Sequence, residues 1–352
     1  MKITGEYLIN QAEEAVKACL DGVPFIKIQE ISKEVARGDV QADLFVKLAS
    51  PSGTRNLILE TKTNGQPRFA REAISQLLRY REVLPGAYGV FLAPYISQKA
   101  AQICTDEGIG YMDLSGNCRL CFGEVYVEKD GRPNKFSEKR NLQSLFSPKA
   151  SRIVRVLLTD PQKAWKVAEL ADEAVVSLGQ VSYVRKLLTD REWVRKTAEG
   201  INLSKPEELL AEWAENYTYR DNQVRDFYSL QTISEIETSL AEVCDRFGVE
   251  YALTGFSGAA RFAPAVRFQR MMAYVSILTD EILAELKLKE VTSGANVSLL
   301  IPYDEGVYYG SEVFDGVRVV SPIQLYLDLK GYRGRGEEAA EALLERVILP
   351  LW

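Results

Sequence analysis

Two kinds of hydrophobic periodicity in the first 128 residues predict an α/β unit. Apolar residues recur at helical spacing in 6–20 and again from Arg68 to about Leu84, where Pro85-Gly86 ends the second helix. A further helix is predicted at 97–107. Strand-like stretches bounded by turn residues are predicted at 24–30, 43–49, 56–62 and 88–95, with short strands to about 128.

The pattern changes twice after this unit. The stretch 129–148 is polar and rich in turn residues and charges, which is typical of a linker. From 148 to 203 the pattern predicts three short helices and a hairpin, and from Ser204 another mixed α/β unit begins. We therefore predict a multidomain protein of α/β and α+β class, with domains at 1–135, 148–203 and 204–352 and a linker at 136–147.

Length and composition agree with a folded protein of two or three domains. The chain has 352 residues, of which 46% are hydrophobic and 26% are charged, the balance of a globular protein. No apolar run approaches the roughly 18 to 20 residues that span a bilayer, and the N-terminal segment lacks the pattern of a signal peptide. We therefore expect a cytoplasmic protein that does not enter a membrane.

Charge is distributed unevenly along the chain, although the net charge is only −6. Residues 1–147 carry a net charge of +1, residues 148–203 carry +3, and residues 204–352 carry −10. A polyanion is attracted to positive regions and repelled by negative ones. Nucleic acid is therefore expected to contact the first two regions, whereas the acidic last third is better suited to a protein partner.

The absence of histidine limits the chemistry that the chain can perform. Catalysis by a histidine base is excluded, so any reaction must rest on carboxylates, lysine, tyrosine or a carboxylate-bound metal. The five cysteines are an odd number and fit reduced thiols. Cys118 and Cys121 form a single Cys-x-x-Cys without a second pair, so we interpret them as ordinary strand cysteines and not as zinc ligands.

A carboxylate and lysine cluster is the candidate for such chemistry. The strand period of two places Ile58, Glu60 and Lys62 on one face of strand 56–62. A hairpin with the preceding strand could bring Asp43 beside Glu60. Two converging carboxylates suit Mg²⁺, and an adjacent ammonium can orient water or stabilise charge on a phosphodiester. An edge strand with a solvated polar face would show the same pattern.

Gln76 and Tyr80 lie four residues apart on the following predicted helix, so both face one side. The order of Asp43, then Glu60-Thr61-Lys62, then Gln76-x-x-x-Tyr80 resembles the PD-(D/E)xK nuclease superfamily, and in particular its RecB-type members with a Gln-x-x-x-Tyr motif. The resemblance covers about residues 1–125 and implies a restriction-endonuclease-like α/β core.

By this resemblance Asp43 and Glu60 would be metal ligands, Lys62 would serve the attacking water, and the Gln76 and Tyr80 side chains would lie at the rim. One departure is that Asp43 follows alanine and not proline. Glu13 or Glu14 on the first helix could add another acid, and the sequence does not choose between them. Whether this domain cleaves DNA is left open, because a fold does not guarantee its chemistry.

The second domain has the pattern of a DNA-binding helical unit. Ser147-Pro148 is typical of a helix start, a second helix follows Trp165, and the third is predicted from Gly179 to Leu188. This third helix has one apolar stripe and a polar face of amides, hydroxyls and cations, the groups that meet bases and phosphates in a major groove. The polar face consists of Gln180, Ser182, Tyr183, Arg185 and Lys186.

The segment after the third helix predicts two short strands around Glu199-Gly200, with Arg195 and Lys196 able to reach phosphate. The whole resembles the winged helix-turn-helix domains of bacterial transcriptional regulators, which implies double-stranded DNA as a partner. The alternative is a helical linker with a solvated polar face.

The last third begins with a strand that turns through Gly255–Gly258 into a helix, the way in which nucleotidyltransferase folds open their active site. Such enzymes need paired aspartates, and the residues that follow contain no acid, so this mixed α/β domain is predicted to be catalytically inactive. An ordinary strand-to-helix turn is the alternative explanation for these glycines.

From about 148 to 352 the chain resembles the AbiEi family of antitoxin regulators from type IV toxin-antitoxin systems. That resemblance implies a DNA-binding repressor of its own operon and a toxin partner, while the nuclease-like first domain departs from the pattern. The leading hypothesis is thus a transcriptional regulator of the AbiEi type. The alternatives are a Mg²⁺-dependent DNA endonuclease targeted by the winged helix, or a protein-interaction scaffold. The sequence leaves open whether the protein forms a homo-oligomer.

Overall fold

The computed structural model describes residues 4–37, 40–136, 145–332 and 334–352. These form a mixed α/β protein with two seven-stranded sheets and one two-stranded sheet among the described residues. The chain divides into two compact units. The N-terminal unit consists of Met1–Lys139 with Thr189–Glu192, and the C-terminal unit consists of Arg140–Leu188 with Trp193–Trp352.

The N-terminal unit is a sheet in which the strands follow one another in chain order from β1 to β7. Strands β3, β4 and β5 are parallel, and the remaining neighbours pair antiparallel. The first two strands are longer than the sequence pattern predicts. The elements are α1 Gly5–Leu20, β1 Lys27–Arg37, β2 Val40–Ser50, β3 Gly53–Thr61, α2 Pro67–Val83, β4 Tyr88–Ala93, α3 Gln98–Asp106, β5 Gly110–Asp113, β6 Cys118–Phe122 and β7 Val125–Lys129.

Each face of this sheet packs against its own helices. Leu57 and Leu59 on β3 belong to one buried cluster with Leu8 of α1, whereas Ile58 belongs to a second cluster with Leu77 of α2. Successive side chains of a strand point to opposite faces. The alternation predicted for this strand is therefore confirmed, and the face that carries Ile58 is the one covered by α2.

The C-terminal unit begins with three helices and a small hairpin, in the order expected from the sequence. Gly200, in the hairpin turn, has a φ of +150°, and a Cβ there would lie 2.3 Å from the carbonyl oxygen of Trp165. Only glycine fits such a close approach. The elements are α4 Pro148–Thr159, α5 Val167–Glu173, α6 Leu178–Asp190, β8 Val194–Lys196 and β9 Ile201–Leu203.

The rest of this unit is built on a mixed sheet of order β13-β10-β14-β12-β11-β16-β15. No helix in the described part of the chain is long and apolar enough to cross a membrane. The principal elements are α7 Pro206–Glu215, β10 Gln223–Tyr228, α8 Ile233–Phe247, β11 Tyr251–Thr254, α9 Gly255–Phe262, β12 Met271–Val275, α10 Asp280–Glu285, β13 Lys289–Glu290, β14 Val297–Ile301, β15 Glu312–Phe314, β16 Val317–Val319, α11 Pro322–Lys330 and α12 Gly336–Leu343.

Packing accounts for the glycines at the start of α9. The segment Gly255–Gly258 forms the first turn of the helix itself. A Cβ on Gly258 would lie 2.7 Å from the Leu325 side chain and 3.1 Å from the carbonyl oxygen of Leu253. Close packing of α9 against the sheet and α11 therefore requires a small residue here, which favours the ordinary strand-to-helix turn.

A buried polar network joins α4 to α11 inside the C-terminal unit. Asp328 accepts hydrogen bonds from Tyr217 at 2.6 Å and Tyr274 at 2.9 Å, and Gln324 donates to the same carboxylate at 2.9 Å. The Gln324 side-chain oxygen in turn accepts from the buried guanidinium of Arg155. The predicted boundary at residue 203 thus falls within a single unit, whose helices share one core.

Candidate functional site

Asp43 lies on β2 at the point where this strand pairs with the end of β3. Leu44 stands opposite Leu59, and continuing that antiparallel register places Asp43 opposite Glu60. The Asp43 Oδ2 atom accepts hydrogen bonds from the Thr61 backbone N at 2.7 Å and the Thr61 hydroxyl at 2.8 Å. These two bonds fix the orientation of the carboxylate.

Glu60, Lys62 and Gln76 form one hydrogen-bonded group between β3 and α2. The Lys62 Nζ atom donates to Glu60 Oε1 at 2.7 Å and to Gln76 Oε1 at 2.6 Å. Charge-assisted hydrogen bonds of this length hold an ammonium firmly in place. The structure therefore brings together Glu60 and Lys62, as the strand period predicts, and adds Gln76 as the residue that positions the lysine.

The second oxygen of Glu60 is the most unusual atom of the group. The Glu60 side chain is only 6% exposed, and its Oε2 atom is buried without a hydrogen-bond partner. Burial raises the pKa of Glu60, the hydrogen bond from Lys62 opposes this shift, and the negative charge of Asp43 adds to it. A buried carboxylate oxygen without a partner is costly unless something binds it.

The donor set of Asp43 and Glu60 fits a magnesium ion. No three cysteine or acidic residues converge as metal ligands within the part of the chain that the structure describes. Mg²⁺, however, usually takes one or two carboxylates and completes its shell with water and substrate phosphates. Asp43 and Glu60 supply these two carboxylates, and the orphaned Glu60 Oε2 is a free ligand atom.

Neither acid of the first helix joins this group through a contact that the structure shows. Glu13 accepts from Lys17 at 2.8 Å, and Glu14 is paired with the same lysine at 3.4 Å. Both are held on the surface of α1 by ordinary spacing along the helix. The sequence did not distinguish Glu13 from Glu14 as an additional acid of the site, and the structure shows a contact to the site from neither.

Tyr80 is buried and does not lie at the rim, which corrects the expectation from the resemblance. Its side chain continues the buried row of Ala73 and Leu77 along α2 and is 7% exposed. Burial, reinforced by the charges of Glu60 and Asp43, raises the pKa of Tyr80 to about 12. The phenol therefore stays protonated at neutral pH and serves as a neutral wall of the site. Gln76 alone remains half-exposed.

Two residues near the site were not identified from the sequence. Thr61 anchors Asp43, and its only signal is its position between Glu60 and Lys62. Arg79 is an exposed cation whose charge partly opposes the rise in the pKa of both Glu60 and Tyr80. It follows Gln76 by three residues, so helical spacing could have placed it at this end of the sheet.

The polar face of α6 forms a second candidate site, in the C-terminal unit. Ser182, Tyr183 and Lys186 are exposed, whereas Gln180 and Arg185 are half-buried. Arg195 and Lys196 are exposed on the β8–β9 hairpin. The opposite side of the helix is buried through Val181, Val184 and Leu188. The structure therefore brings the predicted DNA-binding side chains onto the surface of α6 and the adjoining hairpin.

Residues 202–349 match the model of a family of transcriptional regulators described as the AbiEi antitoxin of type IV toxin-antitoxin systems. The resemblance to AbiEi regulators is confirmed for these residues. The helices α4 to α6 and most of the β8–β9 hairpin lie outside the match to this family. No curated protein matches the chain.

Three solved structures are similar to a part of the chain. An EndoMS complex with double-stranded DNA is 21% identical, with a TM-score of 0.25 and coverage of 32% of this chain and 46% of that one. A repair endonuclease from Pyrococcus abyssi is 16% identical, with a TM-score of 0.26 and coverage of 32% and 48%. EndoMS in its apo form is 19% identical, with a TM-score of 0.23 and the same coverage. The chain spans about half the length of these proteins.

Proposed function

We propose that this protein is a DNA-binding transcriptional regulator of the AbiEi antitoxin type. The match of residues 202–349 to that family carries the proposal. In it, α4, α5, α6 and the β8–β9 hairpin act as a winged helix-turn-helix, with α6 in the major groove of duplex DNA and the hairpin against the phosphate backbone. The acidic region from 204 onward would serve a protein partner, such as a toxin.

The exposed groups of α6 and the hairpin support this proposal. Tyr183 and Ser182 present hydroxyls that can donate to base edges or phosphates, and Lys186, Arg195 and Lys196 present cations. The segment 148–203 is also the most positive region of the chain, with a net charge of +3. Within it Arg155 is buried and Arg152 is paired with Asp304, so the attraction to the phosphate backbone rests on exposed cations such as Lys186, Arg195 and Lys196.

The test is the salt dependence of binding to a labelled duplex from upstream of the protein's own gene, with a scrambled duplex of equal length as competitor. Neutralising Z phosphates gives a slope of roughly −0.9Z in a plot of log K against log salt. We expect such a slope and a preference for the upstream duplex. Lys186→Ala is the test variant on α6. Its matched control is Lys289→Ala, which replaces an exposed lysine of the acidic region. Absence of salt-sensitive affinity for any duplex would refute the proposal.

A second function is favoured by the Glu60, Lys62 and Asp43 group of the N-terminal unit: Mg²⁺-dependent hydrolysis of a DNA phosphodiester. Asp43 and Glu60 would hold the ion, which when bound supplies Lewis-acid stabilisation of the phosphate charge. Lys62, fixed by Glu60 and Gln76, would orient the attacking water. Arg79, an exposed cation whose charge acts on Glu60, would contact the phosphate backbone.

Incubation of supercoiled plasmid with Mg²⁺ tests this second function. We expect nicking by the wild type and none by Glu60→Gln, whereas Glu72→Gln, on the exposed side of α2, should nick at the wild-type rate. Equal cleavage by wild type and Glu60→Gln would indicate a contaminating nuclease. DNA binding without metal-dependent cleavage would leave the N-terminal unit as a scaffold or an additional DNA clamp.

A further inference from the structure

Two cysteines that lie far apart in sequence meet in the core of the N-terminal unit. Cys19 is in the last turn of α1, and Cys118 is the first residue of β6. Both belong to the buried cluster between α1 and the sheet, and their Sγ atoms are 2.7 Å apart. This is closer than two unbonded sulfur atoms ordinarily approach, although longer than the roughly 2.05 Å of a disulfide bond.

We propose that Cys19 and Cys118 are a redox pair that closes to a disulfide when a peroxide oxidises the protein. The Cys118 thiolate attacks one peroxide oxygen, the O–O bond breaks, and a sulfenic acid and hydroxide form; the hydroxide takes up the proton that Cys118 released on ionisation and becomes one water. The Cys19 sulfur then attacks the sulfenic sulfur, and the hydroxyl leaves as a second water with the Cys19 proton. Two thiols are oxidised by two electrons, and hydrogen peroxide is reduced to two waters.

The surroundings of the pair favour Cys118 as the sulfur that reacts first. The Cys19 thiol donates a hydrogen bond to Cys118, which lowers the pKa of the Cys118 thiol, and the ammonium of Lys129 lowers it further. The same contact raises the pKa of Cys19. The thiolate is the nucleophile in such chemistry, so the proton remains on Cys19 until the second step.

A cavity beside the pair has room for a small oxidant. It has a volume of about 280 Å³ and is lined by Cys19 and Cys118 together with Asn117, Lys129 and Arg132. One water occupies about 30 Å³ in the liquid, so hydrogen peroxide fits easily. Lys129 donates to the carbonyl oxygen of Ala18 at 3.3 Å, which holds its ammonium at the end of α1 beside the pair.

The other cysteines of this unit do not compete for the same bond. Cys121 is exposed, so it does not share the buried position of Cys118. Cys104 is buried in the cluster on the α2 side of the sheet. Cys104 is therefore separated from Cys19 by the sheet, and Cys121 lies on the surface and not in the core beside Cys19.

A disulfide between Cys19 and Cys118 would join two residues that flank the candidate nuclease site in the sequence. Cys19 and Cys118 are 99 residues apart, and every residue of the site from Asp43 to Tyr80 lies between them. A cross-link that closes a long loop restricts the unfolded chain and stabilises the fold, as far as native geometry is preserved. The oxidised protein should thus hold α1 on the sheet at temperatures at which the reduced protein loses it.

Peptide mapping of the full-length protein tests the proposal directly. The protein is fully reduced, freed of reductant, treated with hydrogen peroxide, alkylated and digested with trypsin without reduction. Cleavage after Lys17, Lys27, Lys99 and Arg119 would place Cys19 in 18–27 and Cys118 in 100–119, while Cys121 falls in the separate peptide 120–129. A second cut after Glu107 separates Cys104 from Cys118.

We expect the cross-linked pair 18–27 with 108–119, lighter by two hydrogens than the sum of its parts and dissociated by dithiothreitol. Cys121→Ser should retain this product, and Cys118→Ser should lose it. We also expect the thermal midpoint of the N-terminal unit to rise on oxidation in the wild type and in Cys121→Ser alike. Alkylated Cys19 and Cys118 after peroxide treatment, or sulfinic acid at Cys118 without a cross-link, would overturn the proposal, and these measurements on the wild type do not depend on whether a variant folds.

Discussion

Replacing Glu60 by glutamine should stabilise the N-terminal unit in the absence of metal, the opposite of what breaking a structural ion pair would do. The amide oxygen of the replacement can still accept from Lys62, so this hydrogen bond is weakened and not lost. Loss of its charge-assisted part costs roughly 1 kcal/mol, since charged hydrogen bonds contribute about 1.5 to 3 kcal/mol and neutral ones about 1.

The gain is larger than this cost. The buried Oε2 atom has no partner, and an unsatisfied buried group costs about 1 to 3 kcal/mol, more when it is charged. Glutamine places an amide nitrogen at the same position, so the gain is the part of this cost that belongs to the charge. Removing the charge also removes repulsion from Asp43, which helps to raise the pKa of Glu60. The balance favours the glutamine variant by about 1 kcal/mol, which corresponds to a change of roughly fivefold in the opening equilibrium.

Hydrogen exchange of peptides from β2 and β3 measures this change in the N-terminal unit alone. Without magnesium, amides in Glu60→Gln should exchange roughly fivefold more slowly than in the wild type, and Glu72→Gln should behave as the wild type. With magnesium at 100 times its dissociation constant, the wild type should gain about 2.7 kcal/mol and Glu60→Gln nothing. Exchange that is tenfold faster in Glu60→Gln would show that the charged pair is structural, and the argument would be wrong.

The difference in stability between the wild type and Glu60→Gln should depend on pH, because the Glu60 carboxyl takes up a proton. The pKa of Glu60 is raised in the folded protein above its ordinary value of 4.5, so the folded state retains a proton that the unfolded state releases. The stability of the wild type therefore falls as pH rises above about 4.5 through the raised pKa. Protection factors corrected for intrinsic exchange should converge for wild type and Glu60→Gln near pH 4.5 and separate as pH rises. A constant difference at every pH would contradict the origin assigned to it.

Three further changes test other parts of the protein. Lys186→Ala should reduce the salt slope of DNA binding by roughly 0.9 if its ammonium contacts one phosphate; an unchanged slope would remove it from the interface. Gly200→Ala should destabilise the C-terminal unit by roughly 2 kcal/mol or more in urea unfolding, because a Cβ would meet the Trp165 carbonyl at 2.3 Å; a neutral effect would show that the hairpin adjusts. Asp328→Asn should cost roughly 3 kcal/mol by the same assay, because the amide nitrogen that replaces one carboxylate oxygen cannot accept from the buried hydroxyls around it; unchanged stability would show that the network is easily repacked.

The sequence predicts the strand that carries the site better than the contacts made within it. The period of two is a property of the backbone, so the shared face of Glu60 and Lys62 could be predicted without any tertiary information. The anchoring of Asp43 by Thr61 could not, because alternation directs Thr61 away from that face. The contact is made at the end of the strand, where the Thr61 backbone N and hydroxyl both reach Asp43.

Helical spacing likewise predicts which residues share a side of a helix but not the contacts that they make. It places Gln76 and Tyr80 on one side of α2, but it does not state how far that side is covered by the sheet. In the structure Gln76 reaches Lys62, whereas Tyr80 extends the apolar row of Ala73 and Leu77 and is buried. The predicted domain boundary at residue 203 meets the same limit. An apolar stripe on a helix does not show whether it packs within its own segment or against the segment that follows.

The buried guanidinium of Arg155 restricts how the C-terminal unit can evolve or be engineered. Its charge is accommodated by Gln324 and by the ring of Trp213, whose centre lies 4.8 Å away, and both belong to the part of the chain after residue 203. A chimera that joins these helices to a foreign C-terminal region would enclose a cation without its partners, at a cost of several kcal/mol. Under the DNA-binding function proposed above, new specificities should therefore arise by substitution on the surface of α6 and not by exchange of the helices as a module.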